Sequence, residues 1–151
     1  MILVAYIGMQ LWMSRDTPDG LAPDIKGVTL TGQVFDLQQI DQPVLIHFWA
    51  TWCTICRIEQ GAINDIAQDH NIITIASQSG TRNEVKAIVQ ERGISAPVIV
   101  DSSNQLANLY GVRAFPSSFV VTPEGKIVFR EIGLTSEWGI RLRLWWAKLT
   151  Y

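Results

Sequence analysis

The sequence is poor in cysteine and in charge. Its 151 residues include two cysteines, 17% of the residues are charged, and the formal net charge is -2. Two cysteines cannot build a disulfide framework, so a hydrophobic core must stabilise the fold. The sequence has no basic run, which excludes the electrostatic footprint of a nucleic-acid-binding protein. With 48% hydrophobic residues, the composition is typical of one globular domain of ordinary size.

The N-terminal residues 1–13, MILVAYIGMQLWM, carry no charged side chain. This stretch is shorter than the roughly 20 residues of a membrane-spanning helix, and it lacks the charged start and cleavage site of a secretory signal. We predict that it is part of a single N-terminal membrane anchor, the outer half of a span that begins upstream. The alternative is an apolar helix that packs on the domain.

The flank that follows residues 1–13 is SRDTPDG, which has one arginine against two aspartates. A net-acidic flank is not typical of a cytoplasmic loop, so the domain is expected outside the cytoplasm. Proline and glycine mark residues 14–22 as a linker, and residues 23–151 as the domain.

Strand and helix patterns alternate along the domain. The first is a hairpin around Thr31-Gly32, and the second is a continuous apolar run typical of a buried central strand. After that run at 43–50 come a helix to about 69, a strand at 71–77, a helix ended by Gly93, a strand at 96–101, a short helix ended by Gly111, two strands joined by Pro123-Glu124-Gly125, and a last helix from Ser136. This order predicts an α/β fold in which helices flank a mixed central sheet.

The last helix has two apolar faces. One face is predicted to cover the sheet, and it carries Trp138, Leu142, Trp145 and Leu149. The other is a smaller patch that could meet a partner, and it carries Ile140, Leu144 and Ala147.

Both cysteines lie in FWATWCTIC, residues 48–56. Cys53 falls where the central strand gives way to a helix, and Cys56 lies one turn further along. The partial positive charge of a helix N-terminus stabilises a thiolate at Cys53 and lowers its pKa. A thiolate there can attack a foreign disulfide, and Cys56 is within reach to resolve the product. The pattern therefore predicts thiol–disulfide exchange without a cofactor.

Other uses of the pair remain open. Tetrahedral zinc needs two more ligands, which His47 in mid-strand and His70 beyond the helix do not offer, so no metal site is predicted. A structural disulfide across so short a loop stabilises little. The alternative from another class is a copper-handling module that binds Cu(I) through both thiolates.

The helix after the cysteines places a carboxylate on its apolar side. Glu59 falls in the middle of a stripe formed by Ile55, Cys56, Ile58, Ala62, Ile63, Ile66 and Ala67. Burial raises the pKa of a carboxyl group, so Glu59 is predicted to exchange protons with Cys56; a side chain that snorkels to the surface is the alternative. His47 is either a proton relay or a hydrogen-bonded core histidine.

A proline stands directly before the strand SSFVV, although proline cannot donate to a β-ladder. A cis Phe115-Pro116 bond at the strand entry accounts for this position.

Taken together, FWATWCTICRIE and the later YGVRAFPSSF resemble the thioredoxin superfamily, and most closely its TlpA/DsbE-like membrane-anchored branch. The string VLIHFWATWC…CRIEQGAI is similar to ScsD-like proteins, which are linked with suppression of copper sensitivity. The resemblance implies a thioredoxin-like fold with the inserted helix and strand of that branch between about Ser79 and Ser102.

For the site, the resemblance implies that Cys53 is the nucleophile, Cys56 the resolving thiol and Pro116 the cis-proline. Phe115 would bind an extended substrate segment through its backbone, and Trp49 and Trp52 would shape the rim. Glu59 matches an acidic position of the ResA-like members.

For the cellular role, the resemblance implies disulfide-containing client proteins and a membrane electron donor of the DsbD/ScsB type. The place of action would be the periplasmic face of the bacterial inner membrane. Two departures limit the transfer. His47 replaces the aspartate of thioredoxins, and Thr54-Ile55 lacks the proline common just before their second cysteine. A peroxidase of the peroxiredoxin kind is a separate alternative that the sequence disfavours, because it needs a threonine three residues before its attacking cysteine, where this chain has Ala50.

Overall fold

The computed structural model describes residues 1–13 and 20–151, and within these residues the chain forms a five-stranded sheet, a two-stranded hairpin and flanking helices. The elements are α1 (Ile2–Met13), β1 (Lys26–Val28), β2 (Val34–Asp36), β3 (Val44–Trp49), α2 (Thr54–Ile66), β4 (Ile72–Ser77), α3 (Arg82–Arg92), β5 (Val98–Asp101), α4 (Gln105–Leu109), β6 (Ser117–Val121), β7 (Ile127–Ile132) and α5 (Glu137–Thr150). The strand order of the larger sheet is β5-β4-β3-β6-β7. Strand β4 pairs in parallel with β3, and β5 in parallel with β4. Strand β6 pairs antiparallel with β3, and β7 antiparallel with β6, so the predicted mixed sheet is confirmed.

Strand β3 lies at the centre of the sheet, and all six of its residues are buried. Phe48 projects to one face, where its ring lies against those of Tyr110 and Phe119. Leu45 projects to the other face and belongs to a cluster with Ile63 of α2. Burial on both faces explains the continuous apolar sequence of this strand. The strand therefore provides a fixed support for the cysteine segment that follows it.

The predicted inserted elements between β4 and α4 are present as α3 and β5. Thr81 begins α3 with a reciprocal capping box to Glu84, and Gly93 ends it at a φ of 64° that favours glycine. Strand β5 forms one edge of the sheet, next to β4.

The prediction for the two faces of α5 was wrong. Ile140, Leu144 and Ala147 are the buried residues, whereas Trp138 and Leu142 are 80% and 63% exposed. Trp145 and Leu149 are exposed as well. The buried face packs into the cluster formed with Ile63 and Ile66 of α2, and on the outer side Arg141 binds Asp69 and Arg143 pairs with Glu131.

The N-terminal helix α1 exposes the side chains described for residues 1–9, with Ile2, Leu3 and Val4 at 70% or more. The domain does not cover these three side chains. Within the described ranges, no helix is both long and apolar enough to cross a membrane. Residues 14–19 of the predicted linker lie outside the described residues.

Candidate active site

The two cysteines form a disulfide at the N-terminus of α2, and their Cα atoms are 5.3 Å apart. Cys53 is the N-cap residue, with extended backbone angles, and its Sγ accepts a hydrogen bond of 3.2 Å from the backbone N–H of Cys56. Cys53 is 8% exposed and Cys56 3%. The N-cap position aims the helix's free N–H groups at Sγ of Cys53, which favours negative charge on that sulfur once the disulfide is reduced.

The Phe115-Pro116 peptide bond is cis, as predicted, and its segment lies against Cys53. The carbonyl oxygen of Phe115 is 3.5 Å from Sγ of Cys53. The ring of Trp52, which is 62% exposed, meets the Phe115 ring edge-on at 5.8 Å. The Phe115 carbonyl oxygen and the paired rings of Trp52 and Phe115 thus lie on the side of Cys53, the sulfur that the sequence predicts to be the attacker. Trp49 does not share this rim; it is 3% exposed, and its indole N–H donates to Oγ1 of Thr74.

Glu59 faces the core, as the helical periodicity predicts. It is 2% exposed, and neither of its carboxylate oxygens has a hydrogen-bond partner among the described residues. Burial raises the pKa of Glu59 to about 7. The backbone N–H of Thr135 lies near enough to offset part of this rise, although it does not form a hydrogen bond of regular geometry with the carboxylate. Ile55 and Ile58 were predicted on the same stripe, but they are 45% and 68% exposed.

His47 is buried in β3, and its Nδ1 forms a hydrogen bond of 2.8 Å with Oγ of Ser118. Burial lowers the pKa of His47 to about 4, so the imidazole is neutral at physiological pH. A group with this pKa is a weak proton acceptor near neutrality. These two pKa shifts favour Glu59 over His47 as a group that can both take up and release a proton near pH 7.

Sequence reasoning missed a set of contacts around Thr51, two residues before Cys53. Oγ of Ser79 accepts from the Thr51 N–H at 3.0 Å, and Arg92 donates to the Thr51 carbonyl oxygen at 3.0 Å. The indole N–H of Trp52 donates to the carbonyl oxygen of Gln78 at 2.9 Å. These partners are 26 to 41 residues apart along the chain, so no local pattern indicates them.

A surface cavity of about 380 Å³ lies between α2 and α3, on the Cys56 side of the disulfide. Its lining residues are Trp49, Cys56, Arg57, Gln60, Gly61, Asn64, Glu91 and Arg92. Across residues 1–13 and 20–151, no group of three or more His, Cys, Asp or Glu side chains is placed to hold a metal ion.

Comparison with known proteins agrees with this geometry. The model of the AhpC/TSA family matches residues 18–130. A thioredoxin-like protein of Haemophilus influenzae is 31% identical over 122 residues, which cover 79% of this chain and 72% of the relative. The thiol-disulfide oxidoreductase ResA of Bacillus thuringiensis is 30% identical, over 74% of this chain and 68% of its own. Among solved structures, the exposed lipoprotein thioredoxin of Streptococcus pneumoniae superimposes with a TM-score of 0.75 at 26% identity, over 81% of this chain and 98% of its own.

Proposed function

Because the chain belongs to the AhpC/TSA family and is a thiol–disulfide oxidoreductase of the thioredoxin-like kind, we propose that it reduces disulfides of extracytoplasmic client proteins through a mixed disulfide at Cys53. The observation that carries this proposal is the N-cap position of Cys53, whose Sγ accepts the Cys56 N–H next to the cis-proline segment. An N-cap sulfur is the one that a helix N-terminus stabilises as a thiolate.

The reaction proceeds in two exchanges. In the dithiol form, the Cys53 thiolate attacks a client disulfide, forms the mixed disulfide and releases one client thiolate. Cys56 then attacks Sγ of Cys53, the enzyme disulfide forms, and the second client thiolate leaves. Two electrons pass from the enzyme to the client, whose two thiolates take up protons. A membrane dithiol donor of the DsbD/ScsB type would return the enzyme to the dithiol form by the same chemistry.

The second exchange requires a proton to leave Cys56. Glu59 lies one turn further along α2, on the same buried side, and is the proton acceptor in this proposal. Its pKa of about 7 suits a group that must be available both with and without its proton near neutral pH. Glu59→Gln is expected to slow the release of the second client thiol without changing the rate at which iodoacetamide labels Cys53.

Phe115 is proposed to bind the client segment. It presents its carbonyl oxygen beside Cys53, and its ring and the Trp52 ring together provide an apolar wall. An extended client chain that lies along this segment would place its disulfide over Sγ of Cys53 through backbone hydrogen bonds.

The proposed place of action is the outer face of a membrane, to which the apolar α1 would contribute a tether. The exposed apolar side chains of α1 support this placement, and so does the likeness to a solved protein described as an exposed lipoprotein. Fractionation of the natural protein tests it. Recovery in the membrane fraction with a thiol that an impermeant reagent can label is expected, and recovery in the soluble cytoplasmic fraction would contradict it.

Trapping of the mixed disulfide tests the exchange itself. The probe is 5,5′-dithiobis(2-nitrobenzoic acid), a small disulfide whose released thiolate is coloured. Cys56→Ser should release one equivalent of coloured thiolate and keep the other half bound, because the resolving thiol is missing. Cys53→Ser is the matched control, and it should react far more slowly. Equal reactivity of the two variants would reject the assignment of roles. Retention of stoichiometric Cu(I) without any exchange would favour the copper-handling alternative.

A further inference from the structure

Three residues of the segment after β4 bind the two residues that precede Cys53. Ser79 accepts from the Thr51 N–H, Arg92 donates to the Thr51 carbonyl oxygen, and the carbonyl oxygen of Gln78 accepts from the Trp52 indole. Both polar groups of the Thr51 backbone are therefore held by one segment. We call Gln78, Ser79 and Arg92 the brace.

The brace is itself fixed at both ends. Oγ of Ser79 donates to the carbonyl oxygen of Ser77, the last residue of the buried strand β4. Beyond Arg92, the side chain of Asn64 in α2 donates to the carbonyl oxygen of Gly93 and accepts from the N–H of Ser95, each at 3.0 Å. The end of α3 is thus bound both to the segment before Cys53 and to the helix after it.

We propose that the brace sets the position of the Cys53 sulfur at the N-terminus of α2, so that Ser79 and Arg92 are positioning residues for the exchange reaction. The N–H of Cys53 donates to the carbonyl oxygen of Ala50, so Thr51 and Trp52 form the turn that aims Cys53. A fixed turn keeps Cys53 in its N-cap conformation and Sγ on the Cys56 N–H. A turn that is free to move weakens this hydrogen bond, and the thiolate loses the stabilisation that the bond provides.

The inference depends on the proposed exchange at Cys53, and the pKa of the Cys53 thiol reports on both. The measurement is the pH dependence of iodoacetamide labelling of the reduced protein in a Cys56→Ser background. Ser79→Ala and Arg92→Met should each raise the pKa of Cys53 by about half a unit to one unit, the size expected for one lost hydrogen bond. Labelling below the pKa should slow by about three- to tenfold, because the thiolate fraction falls in proportion. In the protein with both cysteines, the equilibrium with glutathione should shift toward the disulfide.

Arg82→Met is the matched control. Arg82 lies on the same helix and also donates to backbone carbonyl oxygens, but to those of Val28 and Thr29 in the β1–β2 hairpin. The control should lose comparable stability to denaturant and keep the wild-type pKa of Cys53. Ser79→Thr, which keeps the hydroxyl, should also keep that pKa.

Each other outcome overturns the inference in an identifiable way. If Arg92→Met raised the pKa of Cys53 and Ser79→Ala did not, the effect would belong to the guanidinium charge beside the Cys56 cavity. If Arg82→Met raised the pKa of Cys53 as much as the brace variants do, the effect would be a general result of lower stability. No rise in either brace variant would show that the turn holds Cys53 without the brace. An ordinary thiol pKa for Cys53 in the otherwise unaltered protein would instead count against the proposed function.

Discussion

Glu59→Gln tests the burial of an ionisable carboxyl in this core. The pKa of Glu59 is raised by burial from 4.5 to about 7 in the folded, disulfide-bonded protein. Below pH 4.5 the carboxyl is protonated in both the folded and the unfolded state, and folding is not opposed. As the pH rises through 4.5, the unfolded chain releases its proton first, so the free energy of unfolding falls until the folded pKa has been passed. At 1.36 kcal/mol per pKa unit, the full loss is about 3 kcal/mol.

The free energy of unfolding of the wild type, measured against pH, does not isolate the Glu59 contribution. His47 changes this free energy with pH in the opposite direction. Burial lowers the pKa of His47 from 6.5 to about 4. As the pH falls below 6.5, the unfolded chain binds a proton at this imidazole before the folded protein does, and stability is lost. The two contributions partly cancel between about pH 4.5 and pH 6.5. The difference between the wild type and Glu59→Gln removes the His47 contribution, which both proteins share.

Urea denaturation of the oxidised proteins from pH 5 to pH 8 provides the measurement. The free energy of unfolding of Glu59→Gln, relative to the wild type, should rise by about 2 to 3 kcal/mol across this range. Glu124→Gln, in the exposed turn between β6 and β7, is the control and should follow the wild type. Parallel profiles for the wild type and Glu59→Gln would refute the raised pKa and, with it, a role for Glu59 near neutral pH.

Two further predictions address the histidine and the rotation of α5. His47→Asn should reduce the loss of stability on acidification, so that the free energy of unfolding relative to the wild type changes by about 3 kcal/mol between pH 7 and pH 4 in the same denaturation series; an unchanged slope would contradict a buried neutral imidazole. Leu144→Ala should lower the free energy of unfolding by about 2 to 5 kcal/mol and Leu142→Ala by no more than about 0.5 kcal/mol, because the first is 3% and the second 63% exposed. The reverse order in urea denaturation would show that the other face of α5 is the buried one.

The sequence predicted the supports of the site where short-range patterns determine them. The apolar run of β3 and the helix after it place Cys53 at an N-cap, and the spacing of three residues from Cys56 places Glu59 on the core side. Pro116 at a strand entry indicated the cis bond. All of these depend on neighbours within a few residues, which is the range over which propensity and periodicity act.

The sequence did not predict features that depend on distant residues. Both faces of α5 are apolar, so periodicity alone cannot choose between them. The buried face is the one that packs against Leu45 and Ile63, which lie far away along the chain, and Arg141 reaches Asp69, 72 residues away. The brace likewise depends on Ser79 and Arg92, which lie 28 and 41 residues from Thr51 along the chain.

The two sulfurs lie next to different surroundings, and this difference makes a prediction about the pH dependence of the proposed second exchange. Cys53 faces the Phe115 carbonyl oxygen, whereas Cys56 borders both the core side, with Glu59, and the cavity between α2 and α3. A cavity of about 380 Å³ has room for water, so a proton leaving Cys56 has two possible acceptors. If Glu59 accepts it, the rate of the second exchange should level off above about pH 7, once the carboxylate is ionised. If cavity water accepts it, the rate should keep rising tenfold per pH unit toward the ordinary thiol pKa of about 8.5. The level region should disappear in Glu59→Gln, and a wild-type profile that rises without a break to pH 8.5 would assign the proton to the cavity instead.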